Sequence, residues 1–158
     1  MGRKAVAAIA VLVSQVVILG AAASSATAAP TCRGVEATIV GTSAGEQIVG
    51  TPGDDVIVAG GGSDQVQGLG GDDLICAGRG NDSVQGNGGF DTIFGSAGND
   101  QLSGGRADDT LFGRRGADQL FGDAGADGLV GGRDFDLGYG GSDFDQCRSV
   151  ERVRSCNE

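Results

Sequence analysis

Ala77-Gly78-Arg79-Gly80-Asn81-Asp82-Ser83-Val84-Gln85 runs without a break into Gly86-Asn87-Gly88-Gly89-Phe90-Asp91-Thr92-Ile93-Phe94, and both segments are copies of one nine-residue unit. The unit repeats twelve times from Gly41 to Arg148, with no insertion or deletion. Its sixth position is always acidic: Glu46, Asp55, Asp64, Asp73, Asp82, Asp91, Asp100, Asp109, Asp118, Asp127, Asp136 and Asp145. Two positions later stands an aliphatic residue, from Ile48 through Ile57, Val66, Ile75 and onward to Leu129, replaced only by Gly138 and Cys147 in the last two copies. Glycine holds the first position except at Ala59 and Ala77, and the fourth except at Ala44, Ala107, Asp134 and Asp143.

A nine-residue period fits neither a helix nor a heptad. The first six positions, rich in Gly and Asp, suit tight reversal and positive φ. The remaining three read as a short strand whose middle side chain points inward. If each unit makes half a turn of a flattened right-handed spiral, strands 18 residues apart are neighbours and alternate units build opposite sheets. The sequence carries that hidden period. In odd units position seven reads Gln47, Gln65, Ser83, Gln101, Gln119 and Leu137, against Val56, Leu74, Thr92, Thr110, Gly128 and Gln146 in even ones. Position nine repeats the contrast, with Gln67, Gln85 and Ser103 set against Val58, Cys76, Phe94, Phe112 and Val130. The expected fold is therefore all-β, a right-handed parallel β-roll of two sheets and six turns, roughly 25 to 30 Å long at about 4.8 Å per strand. Residues 29–40 form an N-terminal cap in which Thr38-Ile39-Val40 is a strand lacking the acid. Residues 149–158 form a charged C-terminal cap, which closes the edge against further growth.

Residues 1–28 read as an export signal: Arg3 and Lys4, an apolar run from Ala5 to Leu19 broken by Ser14 and Gln15, then Ala26-Thr27-Ala28 as a cleavage motif. The apolar run is shorter than the roughly 20 residues of a membrane span. Without Arg3 and Lys4 the chain keeps nine basic residues against 21 acids, a net charge of −12. Such a field disfavours nucleic acid and anionic membranes and attracts cations. So acidic and glycine-rich a chain, with about one core aliphatic per nine residues, has too little to bury to order itself unaided.

The four cysteines are an even number behind an export signal, which predicts disulfides. Of the three pairings that four cysteines allow, Cys32 with Cys76 and Cys147 with Cys156 is the preferred one.

The pattern Gly-Gly-x-Gly-x-Asp-x-U-x, with U a large aliphatic, resembles the nonapeptide of the hemolysin-type or RTX calcium-binding β-roll, whose Ca²⁺ assignment is general knowledge of that repeat. The segments 77–85 and 95–103 fit it closely, and the resemblance extends over 41–148. It implies multiple Ca²⁺ ions between stacked turns, each held by position-six carboxylates and turn carbonyls. The chemistry agrees, since Ca²⁺ takes six to eight oxygen ligands in irregular geometry. The expected metal ligands are Asp55, Asp73, Asp91, Asp109 and Asp127 on one edge and Asp64, Asp82, Asp100 and Asp118 on the other, with Glu46 and Asp136 as doubtful end members. Turn duty alone would tolerate Asn or Ser at position six, and neither occurs there. Ala107 at a turn glycine, and Phe90, Phe135 and Phe144 at position five, are expected to weaken particular sites.

These features predict a secreted, extracellular calcium-binding protein that folds on binding its ions and performs no catalysis. The chain has no His, which excludes His-dependent triads and zinc helices, and the protease, lipase or pore-forming segments common in the resembled family are not seen ahead of the repeats. The alternative is an adhesion or self-association module acting through the apolar face of Val56, Val58, Leu74, Phe94 and Phe112. Cover of that face by residues 29–35 and contact with a cell-envelope partner are equally compatible with the sequence.

Overall fold

The computed structural model describes residues 28–156, so the export signal expected over 1–28 lies almost wholly outside the described residues. Two seven-stranded parallel sheets face each other. One contains, in spatial order, Gln47–Val49, Gln65–Gln67, Ser83–Gly88, Gln101–Arg106, Gln119–Ala124, Leu137–Ser142 and Arg152–Arg154. The other contains Ile39–Val40, Val56–Gly61, Leu74–Arg79, Thr92–Ala97, Thr110–Arg115, Gly128–Arg133 and Gln146–Arg148. Register partners are 18 residues apart, as in Leu102 with Leu120 and Ile75 with Ile93. The odd and even units thus occupy separate sheets, and the roll makes about six turns.

Most strands are longer than the expected three residues. Thr92–Ala97 and Thr110–Arg115, for example, run six residues, through positions seven to nine and on into the first three of the next unit. The ladder continues because position two turns at positive φ without breaking the pairing, so that Arg114 (φ 84°) still lies opposite Ser96 and Gly132. Three alternate positions of the chain then face inward: the acid at six, the aliphatic at eight and the small residue at one of the next unit. Ile57, Ile75, Ile93, Leu102, Leu111, Leu120 and Leu129 are all fully buried, as are Ala59 and Ala77 at position one. The core is a single file of aliphatic side chains from each sheet, one per unit.

The second reversal falls at position four. Gly80 stands at φ 125° directly above the Gly62 carbonyl, where a side chain has neither the backbone conformation nor the room. Ala107, Asp134 and Asp143 keep the same left-handed turn, at φ 73°, 79° and 80°. The late repeats therefore retain their turn shape despite losing the glycine. The two earliest units differ instead: neither Thr42 and Ala44 nor Thr51 and Gly53 is among the positive-φ residues, and the strands that lead into them, Ile39–Val40 and Gln47–Val49, stop at three residues or fewer.

Both ends are closed. The hairpin Thr31–Cys32 with Val35–Glu36 precedes the roll, and the Cys32–Cys76 disulfide pins it to the even sheet with Cα atoms 5.7 Å apart. Arg33 lies 5.4 Å from the Phe94 ring centroid, Arg114 lies 4.7 Å from it, and Phe112 stacks on the same ring at 4.8 Å. Phe94 is only 6 % exposed as a result. At the other end Cys147 joins Cys156, and Arg152–Arg154 pairs with Leu137–Tyr139 at a spacing of 15 instead of 18. That shortened turn places Val150 over Gly138, within 3.3 Å of where a Cβ would stand, so the cap supplies the aliphatic that the eleventh unit lacks.

Truncating one member of so narrow a core leaves a hole its neighbours cannot fill. Ile93→Ala is expected to cost about 2–5 kcal/mol, measured as the shift in urea unfolding at fixed buffer composition. Ala107→Gly relieves a left-handed alanine and should add up to about 1 kcal/mol.

Candidate functional site

Where the chain passes from turn to strand, the main-chain ladder changes partner. The N–H of each position-six residue from Glu46 to Asp127 donates to the Oδ1 of the acid one turn further on, and not to a carbonyl. On one edge Glu46, Asp64, Asp82, Asp100 and Asp118 donate in sequence to Asp64, Asp82, Asp100, Asp118 and Asp136, at 2.8 to 2.9 Å. On the other, Asp55, Asp73, Asp91, Asp109 and Asp127 donate to Asp73, Asp91, Asp109, Asp127 and Asp145, at 2.7 to 3.0 Å. Carbonyls at position six accept from the following turn, as with Leu74 N–H to the Asp55 oxygen at 2.9 Å, so the backbone there is otherwise satisfied.

This arrangement uses one oxygen of each carboxylate and strands the other. Asp64, Asp73, Asp82, Asp91, Asp100, Asp109, Asp118, Asp127, Asp136 and Asp145 all have a buried Oδ2 with no hydrogen-bond partner. Each of these side chains is 3 % exposed or less. A buried carboxylate oxygen left unpaired costs far more than one in water, and here ten stand in two rows.

The stranded oxygens lie in the hollow of the turn, over the position-one residue. A Cβ built on Gly86 would fall 2.7 Å from the Gly104 carbonyl oxygen and closer still to Asp91 Oδ2. One built on Gly113 would meet the Gly131 carbonyl at 2.8 Å and also Asp118 Oδ2. Glycine at position one thus keeps open a cradle walled by a carboxylate oxygen and a carbonyl oxygen. Ala59 and Ala77 hold the same position in the units of Asp64 and Asp82. Among the described residues no three His, Cys, Asp or Glu side chains converge, so a cation held here must draw many of its ligands from carbonyls. Hard oxygens, anionic and neutral, are the donor set of Ca²⁺ and unsuited to softer metals. The residues fit the ion.

Burial raises the carboxyl pKa of these groups, opposed by the ladder hydrogen bond and reinforced by neighbouring acids along the row. Asp73, Asp91, Asp118 and Asp127 reach about 6, and Asp100 and Asp109 about 7. Asp64, Asp82 and Asp136 shift in the same direction. A raised carboxyl pKa means that the metal-free roll binds protons more readily than the unfolded chain. The stability these groups contribute is fully present below about pH 4 and is lost as pH rises through 6 to 7.

Asp55, placed in the row by its spacing, is set apart by the structure. Its Oδ2 accepts from the Thr51 N–H at 2.6 Å and the Thr51 hydroxyl at 3.0 Å, while Thr38 Oγ1 donates to its Oδ1 at 3.2 Å. Glu46 likewise accepts the Thr42 N–H, at 2.6 Å. These first two acids close their own turns. Asp136 and Asp145, by contrast, share the full geometry of the row. The end of one ladder is Glu151, whose Oε2 accepts the Asp136 N–H at 2.6 Å. Sequence reasoning missed it, although Glu151-Arg152-Val153-Arg154 repeats the Asp-x-U-x half of the unit after a turn shortened by three residues.

A second, solvent-facing ladder runs at position five. Asp72 Oδ1 accepts the Phe90 N–H at 2.9 Å, Asn81 Oδ1 that of Asn99 at 2.9 Å, and Asn99 Oδ1 that of Ala117 at 2.9 Å. Phe90 joins the ladder through its backbone and offers no side-chain acceptor to the next turn, leaving its exposed ring outside the cradle.

The family model for the RTX calcium-binding nonapeptide repeat matches the chain in four overlapping copies, at residues 40–75, 49–84, 77–111 and 103–138. Among curated proteins none matches it. With the matched copies covering residues 40–138 and the buried acid rows lying within and just beyond them, the chain belongs to the RTX calcium-binding nonapeptide repeat family.

Proposed function

We propose that this is a secreted, non-enzymatic protein whose folding is coupled to binding several Ca²⁺ ions in the turn hollows. The observation that carries the reading is the pair of rows of buried, unpartnered Oδ2 atoms. Asp73, Asp91, Asp109, Asp127 and Asp145 would serve one edge, and Asp64, Asp82, Asp100, Asp118 and Asp136 the other, with turn carbonyls completing each shell. Asp55 acts as the N-terminal cap of its row. The ion's role is electrostatic: it neutralises adjacent carboxylates that otherwise repel and stay unsolvated. Because the unfolded chain holds no such site, ion binding adds directly to folding stability. Affinities of about 10⁻⁴ to 10⁻³ M, usual for extracellular modules, would keep the roll unfolded where calcium is scarce and fold it after export. The export signal and the disulfides support that location.

The rival reading, association through Val56, Val58, Leu74, Phe94 and Phe112, is less favoured. Its central ring, Phe94, is covered within the molecule by Arg33 and Arg114.

Calorimetric titration with calcium, followed in parallel by circular dichroism, should give several ions per chain and a gain of β signal. Equal β content in excess chelator would overturn coupled folding. Asp109→Asn keeps the Oδ1 acceptor and removes the anionic oxygen, so it should lower the ion count by one or two while leaving the β signal in saturating calcium intact. Asp109→Ala should damage both. Gly104→Ala puts a methyl against Asp109 Oδ2, a change the fold already accepts at Ala59 and Ala77, and should selectively weaken that site. In chelator the β signal should be greater at pH 5, where the buried carboxyls are protonated, than at pH 7.5, and in calcium the order should reverse.

A further inference from the structure

The outer face of the odd sheet is built differently from its opposite number. Position seven presents Gln47, Gln65, Gln101 and Gln119, and position nine presents Gln67 and Gln85, in register on successive strands. Every amide carries both donors and acceptors, and Gln47 Nε2 already donates to Gln65 Oε1 at 3.2 Å along the row. The short side chains of Ser83 and Ser103 interrupt the rows and leave a depression of about 240 Å³, walled by Gln85, Gln101 and Phe121. A second depression, of about 130 Å³, shares Ser83 and Gln85 with the first, so the two form one trough along the roll axis.

The trough leads onto an aromatic surface. Phe121 and Tyr139 stack at 4.9 Å with their planes 6° apart, and both are half-exposed. At the junction, Ser103 Oγ donates to Asp123 Oδ2 at 2.5 Å, an exposed carboxylate able to accept a further hydroxyl. A third depression, of about 350 Å³, continues past Tyr139 to Arg152 and Arg154.

We infer that this trough binds an uncharged linear polysaccharide lying along the roll axis, with sugar hydroxyls on the amide and serine rows and a sugar ring packed on Phe121 and Tyr139. The strand backbones here are already paired on both sides, which excludes an added peptide strand except at the sheet edges. A net charge of −12 without the first two basic residues opposes a polyanion. What fits is a polymer with many hydroxyls, apolar C–H faces and no charge, and the half-apolar, half-polar character of tyrosine suits such a surface. The regular strand spacing gives it repeated contacts, so that individually weak sites add.

The test is affinity electrophoresis of the calcium-loaded protein through gels containing xylan, mannan or hydroxyethyl cellulose, with alginate as the anionic comparison. At least one uncharged polymer should retard the protein. Phe121→Ala with Tyr139→Ala, and separately Ser103→Arg, which fills the trough without removing any packing, should each weaken retardation by about tenfold, the equivalent of one good contact. Thr110→Ser on the opposite sheet should leave it unchanged, and the calcium-induced circular dichroism of every variant should match the parent, which separates failure of this site from failure of the calcium reading. No retardation by any of the three, retardation insensitive to both trough variants, or retardation by alginate alone would overturn the inference.

Discussion

The structure depends on a carboxylate that is asked to do two things at once. One oxygen of each position-six Asp from Asp64 onward closes the main-chain ladder at the corner between turn and strand, and the other is left in a dry hollow lined by carbonyls. An asparagine could perform the first task through its own Oδ1. It would then put an amide N–H₂, not an anion, into the hollow. The invariance of the acid therefore follows from the second oxygen, and the glycine at position one follows from the space that oxygen occupies. Acid, aliphatic and glycine at positions six, eight and one form the inward face of a single strand path.

Because the same bond repeats along both edges, the ends need a different solution. At the start, Thr38, Thr42 and Thr51 satisfy the first acids locally. At the finish, a turn shortened by three residues brings Glu151 to the last ladder N–H and Val150 to the gap above Gly138. The disulfides tie both caps to the roll. Each end is thus held by covalent and local hydrogen-bonded contacts, while the middle contains the buried charge that only a cation or a proton can relieve.

The two outer faces have diverged accordingly. The even face lost part of its exposure to the N-terminal hairpin, through Cys76 and the Arg33, Phe94 and Arg114 stack. The odd face kept polar side chains in register and acquired a trough where serines replace glutamines. An identical backbone repeat supports both outcomes, since the side chains at positions seven and nine play no part in the acid ladder or the aliphatic core.

Much of this was legible in the sequence. The nine-residue period with its hidden period of 18 determined two parallel sheets, their register and the inward aliphatic file, because a repeat without insertions leaves each residue type only one place to go. The acid rows on the two edges followed from the same arithmetic. What the period could not reveal was how each acid divides its oxygens, since that depends on which N–H the corner leaves unpaired. The repeat placed Asp55 within the row and left Asp136 a doubtful end member, yet a threonine four residues before Asp55 takes the oxygen that Asp136 keeps free. Glu151 fell outside the period altogether, and strands grew to six residues because a left-handed position two turns the chain without releasing the ladder. The sequence by itself determined the roll and its charge; the tertiary structure alone decided which carboxylate oxygens are buried without a partner, because that is settled by contacts between turns that no single repeat contains.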